Sequence, residues 1–74
     1  MQNGIAIDIN PLYNPYITKN GISPKKGAIY ADRTLNNKYQ INKDDIVYNL
    51  FIRNGWSWGG EWIDRKDYQH FEKE

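Results

Sequence analysis

Cysteine is absent from this 74-residue chain, so the sequence excludes both disulfide bonds and a zinc site built on thiolates. Long apolar runs are also absent, and none approaches the roughly 20 residues that a membrane-spanning helix needs. The first residues, MQNGIAIDI, lack the charged n-region and the apolar h-region of a signal peptide. As written, the sequence therefore predicts a cytoplasmic chain with no membrane span.

An excess of charge of either sign is missing too. Ten Lys and Arg residues and nine Asp and Glu residues give a formal net charge of +1. These charges are dispersed and form no basic stripe, so the sequence does not indicate nucleic-acid binding. The length predicts one domain, residues 1–74. A core of this size rarely contributes more than about 3–5 kcal/mol, which leaves a metal or a partner chain as further means of stabilisation.

The segment Gly4–Ile9, GIAIDI, alternates in polarity and is predicted to be a strand. Ile5, Ile7 and Ile9 fall on one face of this strand, and Asp8 falls on the other. Strands disfavour Asp. Asp8 is therefore either a functional acid held on a rigid strand or simply a solvent-facing side chain.

The stretch Asn10–Ile41 is long and irregular, and it contains all three prolines. The pair Asn20-Gly21 predicts a short hairpin between Tyr16 and Ile22. A long irregular segment in a small domain is usually functional. We expect its Tyr side chains to hold the segment in place by packing their rings together.

The segment Lys43–Asn54 is predicted to be a helix. Asn42 is a good N-cap, and Gly55 stands where a C′ glycine ends many helices. Apolar residues recur on one side of this segment, and we expect that side to lie in the core against a sheet. The residues of this predicted core stripe are Ile46, Val47, Leu50 and Phe51.

An aromatic stretch follows the helix and is predicted to return as two strands, Trp56–Trp58 and Asp67–Glu72. With Gly4–Ile9, these strands would form a small antiparallel sheet, in which the last strand pairs over Tyr68–Glu72. The helix would cover one face of the sheet and leave the other face free for a site. The predicted fold class is therefore α+β.

A carboxylate and an imidazole come together if the first and last strands are neighbours. Asp8 and His70 would then supply two of the three protein ligands that a catalytic zinc takes, with water in the fourth position. Asp67, three residues before His70, would act as general base on that water. The spacing leaves open a simpler alternative, in which His70 only forms a hydrogen bond with a carboxylate.

The order of these motifs resembles the zinc D,D-carboxypeptidases and L-alanyl-D-glutamate endopeptidases that cut bacterial cell-wall peptides. Two zinc ligands of that family lie in one signature. The signature reads His, any two residues, Gly, any residue, Ala, any residue and Asp. Residues Gly4–Tyr16, GIAIDINPLYNPY, match this signature from its Gly onwards. Tyr30–Arg33 resembles the family's mid-loop, and Trp56–Trp62 with Asp67–Phe71 resembles its second signature.

The resemblance implies that Asp8 and His70 are zinc ligands and that Asp67 is the catalytic base. The family's first ligand, a His seven residues before Asp8, falls on Met1. We therefore expect an incomplete zinc site in a partial peptidase domain that lacks the N-terminal portion of the family's fold. Two protein ligands alone should bind zinc poorly. The residues suggested for the substrate cleft are Trp56, Trp58, Glu61, Asp32 and Arg33.

Three functions follow from this resemblance. The first is a zinc-dependent peptidoglycan peptidase whose site of action is the cell wall. The second is a non-catalytic relative that binds peptidoglycan peptides. The third is a structural fragment completed by a second copy of the chain or by a separate N-terminal segment. Binding of muropeptides without turnover would distinguish the second function from the first, and concentration-dependent folding would identify the third.

Overall fold

Two small antiparallel sheets and one α-helix form the part of the chain that the structure describes. The structure is a computed structural model and describes residues 4–35 and 37–74. This mixed architecture confirms the predicted α+β class. Within these residues, no helix has the length and apolarity needed to cross a membrane. The elements are β1 (Ile5–Asp8), β2 (Tyr16–Thr18), β3 (Gly21–Ser23), α1 (Ile46–Arg53), β4 (Ser57–Trp58), β5 (Lys66–Asp67) and β6 (His70–Lys73).

The first sheet, called here the site sheet, has the strand order β1-β6-β4. The central strand β6 pairs antiparallel with both neighbours, so that Phe71 lies opposite Ile7 on one side and Trp58 on the other. The predicted sheet of first, last and Trp-containing strands is therefore confirmed. Ile5 and Ile7 remain exposed on its β1 edge, whereas Ile9 packs against the core.

The second sheet, called here the hairpin sheet, has the order β3-β2-β5. The predicted hairpin is present, and Gly21 takes the positive φ of 142° that suits a glycine in its turn. The single last strand predicted over Asp67–Glu72 is wrong, because the chain changes sheet after Asp67. A turn at Tyr68 and Gln69 separates β5 from β6, and its backbone is bonded to Pro15 and Ile9.

The helix is shorter than predicted. It begins at Ile46 rather than Lys43, and its N-cap is Asp45 rather than Asn42. The Asp45 carboxylate accepts hydrogen bonds from the backbone N–H groups of Tyr48 and Asn42 at 2.7 and 2.8 Å. Asp44 has a φ of 72°, which is incompatible with a helix at that position.

The buried side of the helix also differs from the predicted core stripe. Ile46 and Leu50 are 87% and 53% exposed, so two residues of the predicted core stripe lie on the surface. The buried helical residue is Tyr48, with Val47, Phe51 and Ile52 packed partly against the core. Gly55 has a φ of 88° immediately after the helix, as expected of a C′ glycine.

Aromatic rings form most of the core. Phe71 is 0% exposed and stacks on Phe51, with ring centroids 4.3 Å apart. The Trp58 ring lies 6.2 Å from the Phe71 ring and makes an edge contact with the Tyr48 ring at 5.5 Å. Burying a side chain of this size contributes about 1.5–3 kcal/mol, so these rings account for much of the stability of the site sheet.

A polar network holds the loop between β1 and α1. Asn14 is 0% exposed, and its Oδ1 accepts from Arg33 at 2.9 Å and from the backbone N–H of Ile41 at 2.6 Å. Arg33 donates further hydrogen bonds to three backbone carbonyls. Tyrosine rings also pack there as predicted, with Tyr13 lying 4.7 Å from Tyr30.

Candidate metal centre

Asp8 and His70 lie directly opposite each other on β1 and β6. Directly opposed residues of an antiparallel pair project to the same face of the sheet, so the two side chains meet. His70 Nδ1 and Asp8 Oδ1 are 3.3 Å apart. Phe71 follows His70 on β6 and projects from the opposite face of the sheet into the core. Asp8 and His70 therefore lie on the free face of the site sheet.

Asp67 reaches the same place from the hairpin sheet. It pairs with Tyr16 on β2, and its backbone lies close to Gly59. A Cβ atom added to Gly59 would lie 2.9 Å from the Cβ of Asp67, so this approach requires a glycine. One ligand atom each from Asp8, Asp67 and His70 lies within 4.8 Å of the others. The structure thus brings together the three residues that carry the predicted chemistry.

Glu72 is a fourth member of this site that the sequence reasoning did not assign. Its Oε1 lies 2.8 Å from His70 Nε2, so both ring nitrogens face carboxylates. The sequence contains a signal for this contact. Glu72 follows His70 by two positions, and residues two apart on a strand share a face.

Opposing influences act on the proton affinity of His70. Burial lowers its pKa, but hydrogen bonds with Glu72 and Asp8 and the nearby charge of Asp67 raise the pKa more. The net result is a pKa above the usual value. A metal that binds at this ring must therefore compete with a proton.

Burial raises the pKa of the Asp67 carboxyl group, whereas it lowers the pKa of His70. The positive charge of His70 opposes this shift, whereas the negative charge of Asp8 adds to it. Among the described residues, the buried Oδ1 of Asp67 has no hydrogen-bond partner. An unpaired buried carboxylate oxygen is costly, so this atom is suited to bind a proton or a cation.

Comparison with known protein families places the whole site in context. A family model described as D-alanyl-D-alanine carboxypeptidase matches residues 2–73. This chain belongs to the D-alanyl-D-alanine carboxypeptidase family. No curated protein and no solved structure matched the chain. Membership confirms the resemblance seen in the sequence and identifies a carboxypeptidase-like fold, in a family that is in general zinc-dependent.

The donor atoms fit the zinc that the D-alanyl-D-alanine carboxypeptidase family uses. Zinc accepts imidazole nitrogen and carboxylate oxygen, and two ligands about 2.1 Å from a tetrahedral ion are about 3.4 Å apart. The 3.3 Å between His70 Nδ1 and Asp8 Oδ1 agrees with that separation. Met1, on which the family's first ligand position falls, lies outside the described residues.

The two tryptophans suggested for a substrate cleft lie mainly in the core. Trp58 is buried, and its indole N–H donates to the carbonyl of Tyr68 at 2.8 Å. Trp56 is partly buried and packs edge-on against Phe51 at 5.1 Å. Both tryptophans thus contribute to packing beneath the site sheet.

The three charged residues suggested for the cleft also form contacts within the fold. Arg33 belongs to the buried polar network of the loop. Asp32 is exposed and accepts hydrogen bonds from Thr34. Glu61 accepts a hydrogen bond from the hydroxyl group of Tyr48 at 2.8 Å. The structure does not bring these three side chains into the group formed by Asp8, Asp67 and His70.

Trp62 borders the candidate centre instead. Its ring lies 5.4 Å from the His70 ring, and the Arg65 guanidinium covers it at 4.6 Å. The sequence showed Trp62 as one aromatic residue among several, and no spacing rule linked it to His70. The contact arises because the 3₁₀ turn Gly59–Glu61 folds back against β6.

Proposed function

We propose that this chain is a zinc-dependent peptidase domain that hydrolyses stem peptides of peptidoglycan. The observation that carries the proposal is the convergence of Asp8, Asp67 and His70 from two separate sheets, with their ligand atoms within 4.8 Å. Family membership supports the reaction class and the substrate class. The site of action would accordingly be cell-wall material.

Asp8 and His70 are proposed as the metal ligands. They lie on adjacent paired strands, which hold their donor atoms in fixed positions. His70 offers Nδ1, because this nitrogen faces Asp8 whereas Nε2 faces Glu72. A further donor beyond these two is needed for the three-ligand shell typical of catalytic zinc.

Asp67 is proposed as the proton-transfer residue. When bound, zinc polarises the scissile carbonyl group and makes the attacking water more acidic. The Asp67 carboxylate accepts the proton of that water and delivers it to the nitrogen of the leaving amine. Its raised pKa brings it closer to the pH at which a general base is most effective.

Hydrolysis of purified stem peptides, followed by mass spectrometry, tests this proposal. The wild-type protein with added zinc should release a cleavage product, and a chelator should stop the reaction. Asp67→Asn should retain zinc affinity but lower kcat by about 100-fold or more, since general bases contribute roughly 10²–10⁴. His70→Ala should lose zinc affinity as well as turnover. Asp44→Asn is a matched control, because Asp44 is exposed and Asn tolerates its positive φ.

Two results would contradict the proposal in different ways. Wild-type protein that binds the peptides but never cleaves them would favour the non-catalytic peptidoglycan-binding alternative. Equal zinc affinity in the wild type and in His70→Ala would show that the metal binds elsewhere and that the ligand assignment is wrong.

A further inference from the structure

Glu72 and Asp8 compete for the same imidazole ring. Glu72 Oε1 lies 2.8 Å from His70 Nε2, and Asp8 Oδ1 lies 3.3 Å from His70 Nδ1. A neutral imidazole carries one N–H and can donate to only one of these carboxylates. Because its distance is shorter, the Glu72 contact is the stronger of the two and places the proton on Nε2.

The neighbours of Glu72 on the site sheet allow its carboxylate to stay beside His70 Nε2. On the site sheet it lies between Ala6 of β1 and Ser57 of β4, its cross-strand partners. Both neighbours have small side chains on the same face, so the Glu72 side chain has room to extend along the strand towards His70. Its side chain is 47% exposed, which lets the second carboxylate oxygen remain hydrated.

We propose that Glu72 is a positioning residue that fixes His70 as the Nε2–H tautomer and thereby presents the Nδ1 lone pair to the metal. This inference rests on the proposed function, because it assigns Glu72 a role towards the zinc ligand His70. Carboxylates that orient a ligating histidine in this way typically change metal affinity by 10–100-fold when removed. Glu72 itself does not contact the metal.

The ring nitrogens of His70 can be observed directly, because His70 is the chain's single histidine. The ¹⁵N chemical shifts of the metal-free protein, measured at alkaline pH where the ring is neutral, report the tautomer. The wild type should show the Nε2–H form. Glu72→Ala leaves Asp8 as the remaining carboxylate partner, so its ring should change to the Nδ1–H form. Asp8→Asn should keep the Nε2–H form.

Zinc affinity, measured by competition with a chelating dye, provides the second readout. Glu72→Ala should weaken zinc binding by about 10–100-fold. Glu72→Gln, which keeps a neutral acceptor oxygen, should fall between this variant and the wild type. Glu74→Gln is the matched control and should change the affinity by less than about twofold, because an exposed surface substitution has little effect.

The two readouts separate the possible failures. An unchanged tautomer and unchanged zinc affinity in folded Glu72→Ala would overturn the role of Glu72. If Glu72→Ala does not fold, wild-type zinc affinity in Glu72→Gln would overturn the role of Glu72 equally. A wild type that shows the Nε2–H tautomer but no zinc affinity would contradict the proposed function and leave the orienting contact of Glu72 established.

Discussion

Phe71 in the core and Asn14 in the long loop are both 0% exposed, yet different interactions hold them in place. Phe71 is surrounded by other rings and is stabilised by removal of apolar surface from water. Asn14 is surrounded by backbone groups and by the Arg33 guanidinium, and it forms hydrogen bonds through both its amide nitrogen and its oxygen. The hydrophobic stabilisation of the aromatic region is non-directional, whereas the polar region depends on each hydrogen-bond partner being present.

The candidate centre lies where these two regions meet. Asp8 and His70 come from the site sheet above the aromatic core, and Asp67 comes from the hairpin sheet that continues into the loop. Arg33 of the polar network lies 4.1 Å above the ring of Tyr68, the residue after Asp67. Damage to the core should therefore affect the whole fold, whereas damage to the polar network should mainly affect the placement of Asp67.

The largest expected effect comes from Phe71→Ala. Replacing a fully buried Phe with Ala costs about 3–5 kcal/mol, which equals what the core of so small a domain usually contributes in total. Urea unfolding followed by Trp fluorescence should show loss of most of the folded population. Phe71→Leu, which keeps much of the volume, should cost only about 1–2 kcal/mol. Similar losses in both variants would mean that the ring stack itself, and not occupancy of space, provides the stabilisation at Phe71.

Asn14→Ala should have the next largest effect, about 2–3 kcal/mol, because it removes the acceptor shared by the partly buried Arg33 and the buried backbone N–H of Ile41. Hydrogen exchange should show the loss concentrated in the loop, with the Ile41 amide losing protection while β6 amides remain protected. Asn49→Ala serves as control, since Asn49 is exposed. Equal loss of protection in the loop and in β6 would contradict the division into two regions.

The sequence was sufficient to predict the parts of the fold that depend on local patterns. Alternating polarity located β1, and the Asn20-Gly21 pair located the hairpin, because strand periodicity and turn chemistry are written in neighbouring residues. The helix was misplaced at its start, because two good capping residues, Asn42 and Asp45, lie three positions apart. Local hydrogen bonds decide between them, because the Asp45 carboxylate accepts from the backbone N–H of Asn42 as well as from that of Tyr48.

Other features depend on partners that are distant in the chain. The change of sheet after Asp67 follows from pairing with Tyr16, which is 51 residues away (67 − 16). Arg33 was suggested as a cleft or scaffold residue because Tyr30–Arg33 resembles the family's mid-loop. Its actual contacts with Asn14 and Ile41 could not be read from local spacing. Strand pattern and ligand chemistry suggested the roles of Asp8, Asp67 and His70, the family resemblance favoured them over a simple hydrogen bond, and the structure adds their proximity.

Asp67→Asn should increase the stability of the metal-free protein by about 0.5–1 kcal/mol at neutral pH. The folded-state pKa of Asp67 is raised, so its ionisation as pH rises through that pKa destabilises the fold. The gain from Asn should therefore vanish in acid, below the unfolded-state pKa of about 3.9. Urea unfolding of both proteins with a chelator, at several pH values, measures this. A stabilisation that persists unchanged in acid would exclude the charge of Asp67 as its cause.

The smallest expected effect concerns His70 and changes sign with zinc. In the metal-free protein, the raised pKa of His70 means that the imidazolium stabilises the fold below the unfolded-state pKa of about 6.5. This contribution, under about 1 kcal/mol because the site is partly solvated, is lost as pH rises through the folded-state pKa. His70→Gln should remove that dependence.

With saturating zinc, stability should instead rise over the same pH interval, because zinc takes the place of the Nδ1 proton and binds more tightly as protons become scarce. Unfolding curves recorded with a chelator and with zinc should thus have slopes of opposite sign against pH. Parallel slopes in the two conditions would mean that zinc does not compete for the imidazole, and Asp8 and Asp67 would then be the only members of the group left to bind a metal.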